Sequence, residues 1–378
     1  MRVLAALALA LALISCTNAS SPGGSSSAAR TSTSSGAGNP ATSKAADLRT
    51  ELDLLLGEQV MLVAKQSAAA VNHSEEYTGY TTLLTSNDND LRDLMSSAFG
   101  DTAATQLWQS WGAENSYLVD YAIGIVTHNQ AKSNGAMSGL DNGFVPQFAA
   151  LVTSLTQLPQ ESISQLMSQQ VLEDKAVIDD QEAQKPASTY PDLHVAFMQS
   201  ARLGDALSSR IAQKFSDKFP GDPALPAVDR RVSLNALLEE HAYLATMTTD
   251  AIVRGDSAEK AAATVALAAN AGSLGTAFSQ QLGTAAGIEF DNLWATRLAA
   301  LFGYAQSGDV ASTKTLTETF APAFAKLARV SLAPVVGQLQ ATLRVIDDQR
   351  AKTVTPLPGD DRAAATAMQP IADASIEG

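Results

Sequence analysis

The chain has 378 residues, 46% of them hydrophobic, with one cysteine and a formal charge of −14. Its length and apolar content suffice for two ordinary domains, and a single cysteine excludes an internal disulfide or a thiolate zinc cluster. The acidic balance excludes a nucleic-acid surface, whose phosphates demand positive charge, and a basic face held to anionic lipid.

Met1-Arg2 is followed by an unbroken apolar run from Val3 to Ile14. A membrane-spanning helix needs about 20 residues, so this run reads instead as the apolar core of a secretion signal. It ends in Leu13-Ile14-Ser15-Cys16, a pattern that resembles the lipobox of bacterial lipoproteins. The resemblance implies cleavage before Cys16 and acylation of its thiol, with residues 1–16 as the signal and its lipidation site. Residues 17–43 are Ser, Gly, Ala, Thr and Pro-rich. They offer too little apolar surface to offset chain entropy and read as a disordered tether.

Beyond residue 44, apolar side chains recur three and four apart. Leu52, Leu55, Leu56, Leu62 and Val63 trace one helical face, and Leu107, Trp111, Leu118 and Ala122 another. Such spacing predicts amphipathic helices packed as bundles. Turn-forming residues predict breaks at 86–90, Asn134-Gly135, Lys185-Pro186 and 219–223.

After the last break the sequence starts again. Leu55-Leu56-Gly57-Glu58-Gln59 is echoed by Leu237-Leu238-Glu239-Glu240-His241, and Gly100, Trp111, Tyr121 and Ala122 by Gly283, Trp294, Tyr304 and Ala305. Phe144-x-Pro146-x-Phe148 recurs as Phe320-x-Pro322-x-Phe324. Val177-Ile178-Asp179-Asp180-Gln181 recurs identically at 345–349, and Met198-Gln199 recurs as Met368-Gln369. The expected fold class is therefore all-α, with two tandem copies of a four-helix-bundle-like module, residues 44–222 and a shorter 229–378. The second copy has no evident counterpart to the first copy's last helix, so it is expected to need the first copy to cover its core.

No His-Glu-x-x-His, Gly-x-Ser-x-Gly or phosphate-loop motif occurs, and the Glu and Glu-x-x-His set of a di-iron bundle is missing. No catalytic residue, metal site or cofactor is expected. His73 and His128 fall near helix ends among polar residues and read as solvated. His241 lies in line with an apolar stripe, and Gln59 holds its place in the first copy. Glu114 and Arg297 hold a second matching pair of places, and Gln170 falls near a third stripe. Polar groups facing a bundle interior need partners. The first reading is hydrogen-bonded core groups with a structural role. The second is a ligand site made from Gln59, Glu114, His194, Met198, His241, Arg297 and Met368.

Glu240-His241, Trp294 with Tyr304, Val345-Ile346-Asp347 and the Met-Gln step also resemble a family of exported, often duplicated bacterial helical-bundle proteins. In that family the stripe positions are often histidine, which with methionine would suit copper. Here the four positions are Gln59 and His241, Glu114 and Arg297, Gln170 and Gln338, and Phe197 and Ala367. Only His241 keeps the imidazole. The resemblance thus implies the fold and the address more than a metal.

The expected function is a lipid-anchored extracytoplasmic lipoprotein of the cell membrane, a non-enzymatic helical binding or scaffold module. Its partners would be the membrane, through the lipid, and an extracytoplasmic protein or small ligand, with no nucleic acid. The alternative is a copper-type metal or small-ligand carrier. A protein binder should expose an apolar patch, whereas a carrier should show a pocket lined by Gln59, Glu114 or His241.

Overall fold

Ser43 caps the first long helix by accepting from the Ala46 N–H, and Asp47 in the first turn favours its positive end. The computed structural model describes residues 39–377. Cys16, the signal and most of the expected tether lie outside them. The fold begins before the tether's expected end: Pro40–Thr42 forms a 3-10 turn with Ala41 buried, because Arg231 Nη1 donates to the Ala41 carbonyl at 2.9 Å.

The described residues are all helical, with no strand among them. In chain order they form α1 (Lys44–Val71), α2 (Glu76–Phe99), α3 (Asp101–Val126), α4 (Gln130–Gly139), α5 (Val145–Thr156), α6 (Gln160–Glu182) and α7 (Pro186–Lys214). There follow α8 (Pro226–Arg254), α9 (Ser257–Leu282), α10 (Thr284–Ser307), α11 (Val310–Lys314), α12 (Ala321–Ala328), α13 (Leu332–Ala351), α14 (Leu357–Thr366) and α15 (Gln369–Glu377).

Two expected breaks are absent. Residues 86–90 lie inside α2 and Asn134-Gly135 inside α4. The Asn87 side chain is buried, donating to the Leu55 carbonyl and to Glu58, so tertiary bonds override its turn preference. Breaks fall instead after Val71, Phe99, Val126 and Thr156, and the first half holds five long helices rather than four: α1, α2, α3, α6 and α7. His73 and His128 follow the ends of α1 and α3 with φ of 51° and 52°, and both are exposed.

The turns between α2 and α3 and between α9 and α10 are made by single glycines. Gly100 (φ 84°) and Gly283 (φ 96°) adopt a backbone that a Cβ would penalise. π-Helical turns at Leu140–Phe144 and Thr315–Phe320 each precede a proline by two residues. Pro146 and Pro322 have no N–H to return to the preceding turn, and the helix widens there.

α1 and α8 lie side by side at the centre. One apolar core is built from first-half residues around Trp111, which packs edge-on against Phe144 and tilted on Phe148. The other surrounds Trp294, stacked on Phe290 and edge-on to Phe320 and Phe324. As expected, the second core draws on the first half: Val60, Met61, Ala64, Leu193 and Phe197 belong to it. The missing last helix is a correction: α14 and α15, separated at Ala367-Met368, take its place against α8.

Bonds recur between the halves. Arg49 reaches Asp205, Asp229 and the Pro223 carbonyl; Arg231 reaches Asp373, Asp47 and the Ala41 carbonyl. Gln181 accepts from Ser67 and donates to the Ala64 carbonyl; Gln349 accepts from Thr249 and donates to the Thr246 carbonyl. Tyr121 donates to Asp179, and Tyr304 to Asp347.

Candidate functional site

The sequence-predicted interior positions form two separate polar clusters. In the first half, α1 brings Gln59 to α3. Its Nε2 donates to Asn115 Oδ1 at 2.8 Å and to Glu114 Oε2 at 3.4 Å, and Asn115 donates to Asp88 Oδ1 at 2.8 Å. Gln170 on α6 donates to Asp174. Glu114 is fully buried, and its Oε1 has no partner; neither does Trp111 Nε1 or Gln170 Oε1. Burial pushes Glu114 well above the usual carboxylate range, reinforced by Asp174 and Asp88, and moves Asp88 and Asp174 each to about 7.

The second half holds the opposite charge. His241, on α8, is fully buried. Its Nδ1–H donates to Asn270 Oδ1 at 2.9 Å, and its Nε2 accepts from Trp294 Nε1 at 3.0 Å and Arg297 Nη1 at 2.9 Å. Asn270 fixes this tautomer, because its own amide nitrogen is spent on the Leu237 carbonyl and Glu240. Arg297 also donates to Gln338 Oε1 and lies over the Trp294 ring at 4.9 Å. Among the described residues no carboxylate pairs with it. Burial lowers Arg297 to about 9, and burial with the Arg297 charge lowers His241 well below its ordinary value.

His194, Met198 and Met368 are elsewhere. Met368 is buried in the second apolar core, while Met198 is exposed on α7. His194 Nδ1 lies 2.7 Å from Glu240 Oε1, and both line a groove of about 470 Å³ between α7 and α9. The Glu240 hydrogen bond raises the His194 pKa. Across the molecule Glu58 takes the equivalent place, gripped by Arg362 Nε and Nη2 at 2.8 and 2.7 Å. Each of these glutamates also accepts from an asparagine of its own half, Asn87 or Asn270. Each takes its basic partner, His194 or Arg362, from the other half.

No protein-family model, characterised protein or solved structure matches the chain.

Sequence reasoning missed Glu58, Asn87, Asp88, Asn115, Asp174 and Asn270. Asn87 and Asn270 share the repeat offset of 183 (270 − 87) that relates the tryptophans. That offset was a usable signal, hidden because Asn87 sits in a run read as a turn. Neither Gln59, Glu114 nor His241 lines the α7–α9 groove, whose rim instead exposes Val195 (46%) and Val265 (71%). Helix α9 is, by length and composition, apolar enough to cross a membrane, yet only 33% of its most apolar window is buried. Among the described residues no three His, Cys, Asp or Glu converge to hold a metal.

Proposed function

We propose that the protein is a lipid-anchored extracytoplasmic lipoprotein, and that its body is a non-enzymatic binding module made of two copies of one helical unit. The α7–α9 groove is its working surface. One observation carries the binding reading: Val195 and Val265 are exposed on opposite sides of that groove, while His194 and Glu240 in its lining satisfy each other and the Tyr190 hydroxyl is spent on Glu259. An uncharged occupant fits such a groove, and an apolar segment of a partner protein meets that requirement. The bonds repeated at Arg49 and Arg231, Gln181 and Gln349, and Tyr121 and Tyr304 support descent of both halves from one unit. The lipobox-like Leu13-Ile14-Ser15-Cys16 and the exported-family resemblance support the address. The copper-carrier alternative lacks comparable support, because both nitrogens of His241 are spent.

The address is tested by Cys16→Ser, which should release the protein from the membrane fraction or leave the precursor uncleaved. Fractionation and processing like wild type would refute the anchor. The surface is tested by placing a photo-crosslinker at position 265. One partner should be captured, and capture should be lost with Val195→Asp; capture indifferent to that charge would refute the groove.

A further inference from the structure

A second groove, of about 370 Å³, lies between α1, α2, α8 and α14; it shares no lining residue with the α7–α9 surface, although Glu239 and Glu240 are neighbours on α8. Its lining is dominated by acceptors. Glu51, Glu58, Asp90, Asp93 and Glu239 contribute carboxylates, and Arg362 is the one cation among its lining residues.

Part of this charge is already matched. Arg362 bridges Glu58 and Asp90, the latter at 2.6 Å. Asp93 pairs with Arg92 at 2.7 Å. The remainder is not. Glu239 is only 7% exposed, and its Oε2 is shut off from solvent without a hydrogen bond. Asn235, one turn earlier on α8 and 2% exposed, has an unpartnered Oδ1. Its amide cannot be turned round to cure this, because Nδ2 already donates to the Arg231 carbonyl and to Asp373. Two buried acceptors four residues apart on one helix face therefore lack a donor. A buried carboxyl oxygen without a hydrogen bond is a costly feature for a fold to keep.

We propose that this groove binds an organic cation, a primary ammonium or guanidinium group, against Glu239 and Asn235. Arg362 shows the chemistry in place: a guanidinium from α14 sits bidentate on Glu58 in the same groove. The carboxylates are spread along the groove and do not converge as a metal site would require. An elongated donor that presents N–H groups suits that spread. Burial, and after it the neighbouring Glu58 charge, raise the Glu239 pKa well above the usual range. A bound cation favours the ionised carboxylate, so binding should release protons to solvent wherever Glu239 is protonated in the free protein. The ionisable groups around it are Glu51, Glu58, Asp90, Asp93, Arg362 and, on α8, Tyr243, whose hydroxyl donates to Glu58.

The test is calorimetric titration of the full chain with agmatine, putrescine and a blocked Gly-Lys-Gly tripeptide, in two buffers of different ionisation enthalpy. Saturable one-to-one binding with proton release is expected. Tighter binding of the free diamines would assign a small molecule, and tighter binding of the tripeptide a basic side chain of a partner. Glu239→Gln should weaken binding at least tenfold, whereas Glu318→Gln, an exposed carboxylate elsewhere, should not. Glu239 carries no structural bond, so the variant should fold, which a thermal melt checks. Absence of saturable binding, equal affinity in Glu239→Gln, or equal displacement by magnesium at the same charge concentration would overturn the proposal. None of these outcomes bears on the α7–α9 surface.

Discussion

Arg297 Nη1 lies 2.9 Å from His241 Nε2, in the interior of the second half, and Glu114 stands 183 residues before Arg297, at the sequence offset that separates Trp111 from Trp294. The two places have opposite charge type, and neither has a counter-ion among the described residues. Each is relieved in its own way. Arg297 disperses its charge over the Trp294 face, the imidazole lone pair and the Gln338 amide oxygen. Glu114 gives up its charge, because burial holds its carboxyl protonated. Neither arrangement offers an open coordination position or a nucleophile set beside a base, so the clusters read as interior polar packing.

The acidic cluster predicts an unusual pH dependence. Asp174 and Asp88 titrate near 7 in the folded protein and near 3.8 otherwise. Between those values the folded state holds more protons than the unfolded, so these groups make stability fall as pH rises from about 4 to about 7, with no further loss above. A shift of about three units corresponds to at most ~4 kcal/mol per group. Asp174→Asn keeps the oxygen that accepts from Gln170 and should be more stable than wild type at pH 8 by ~1–3 kcal/mol, while matching it near pH 4. Urea denaturation at both pH values measures this; an unchanged difference between them would show that Asp174 is not desolvated.

The two tryptophans should separate packing from hydrogen bonding. Trp111 and Trp294 are both buried against a Phe-x-Pro-x-Phe pair, so truncation of either to alanine should cost about 3–5 kcal/mol. The phenylalanine variants should differ. Trp111 Nε1 has no partner, whereas Trp294 Nε1 donates to His241. Trp294→Phe should therefore cost ~1 kcal/mol more than Trp111→Phe. Equal losses on chemical denaturation would remove the His241 bond from the account.

Much of the helical order was legible because packing in this fold follows the apolar stripe. Leu52, Leu56, Leu107, Trp111 and Leu118 are all buried as their spacing predicts. The stripe also located Gln59, Glu114, Gln170, His241 and Arg297 inside. What sequence spacing could not supply was pairing between distant helices. Glu58 was visible only as part of a repeat, since its cation, Arg362, lies 304 residues away. Asn87 and Asp88 looked like turn residues because local preference is blind to the Leu55 carbonyl and Asn115 that hold them. Met198 and Met368 matched in sequence but not in burial, because α7 runs unbroken past Met198 while the chain turns at Met368 between α14 and α15.

Arg49 and Arg231 should act as paired clamps between the halves. Each is mostly buried and binds one aspartate of its own half and one on the first helix of the other. The partners are partly exposed, which limits the gain from each ion pair, but the guanidinium groups also satisfy backbone carbonyls. Arg49→Met and Arg231→Met should each lower stability by ~1–3 kcal/mol, and by similar amounts. A loss confined to one of them would show that the matching geometry does not carry matching energy.

The last prediction concerns transition metals. Tight copper or zinc binding takes three or four converging nitrogen or sulfur ligands. His241 is neutral, but its Nδ1 carries the proton given to Asn270, and its Nε2 lone pair faces Trp294 and Arg297. A metal there would have to displace a buried guanidinium. Met368 is buried among apolar groups of the second core. His194 and Met198 are the remaining pair, four residues apart on the exposed side of α7, with His194 Nδ1 engaged by Glu240. One imidazole nitrogen and one thioether make at most a two-ligand surface site. Titration with Cu(I), Cu(II) and Zn(II) should therefore show no stoichiometric binding tighter than about micromolar. Submicromolar binding that vanishes with His194→Ala or Met198→Leu would instead place a carrier site on α7, and loss with His241→Ala would mean that the interior cluster opens to accept the ion.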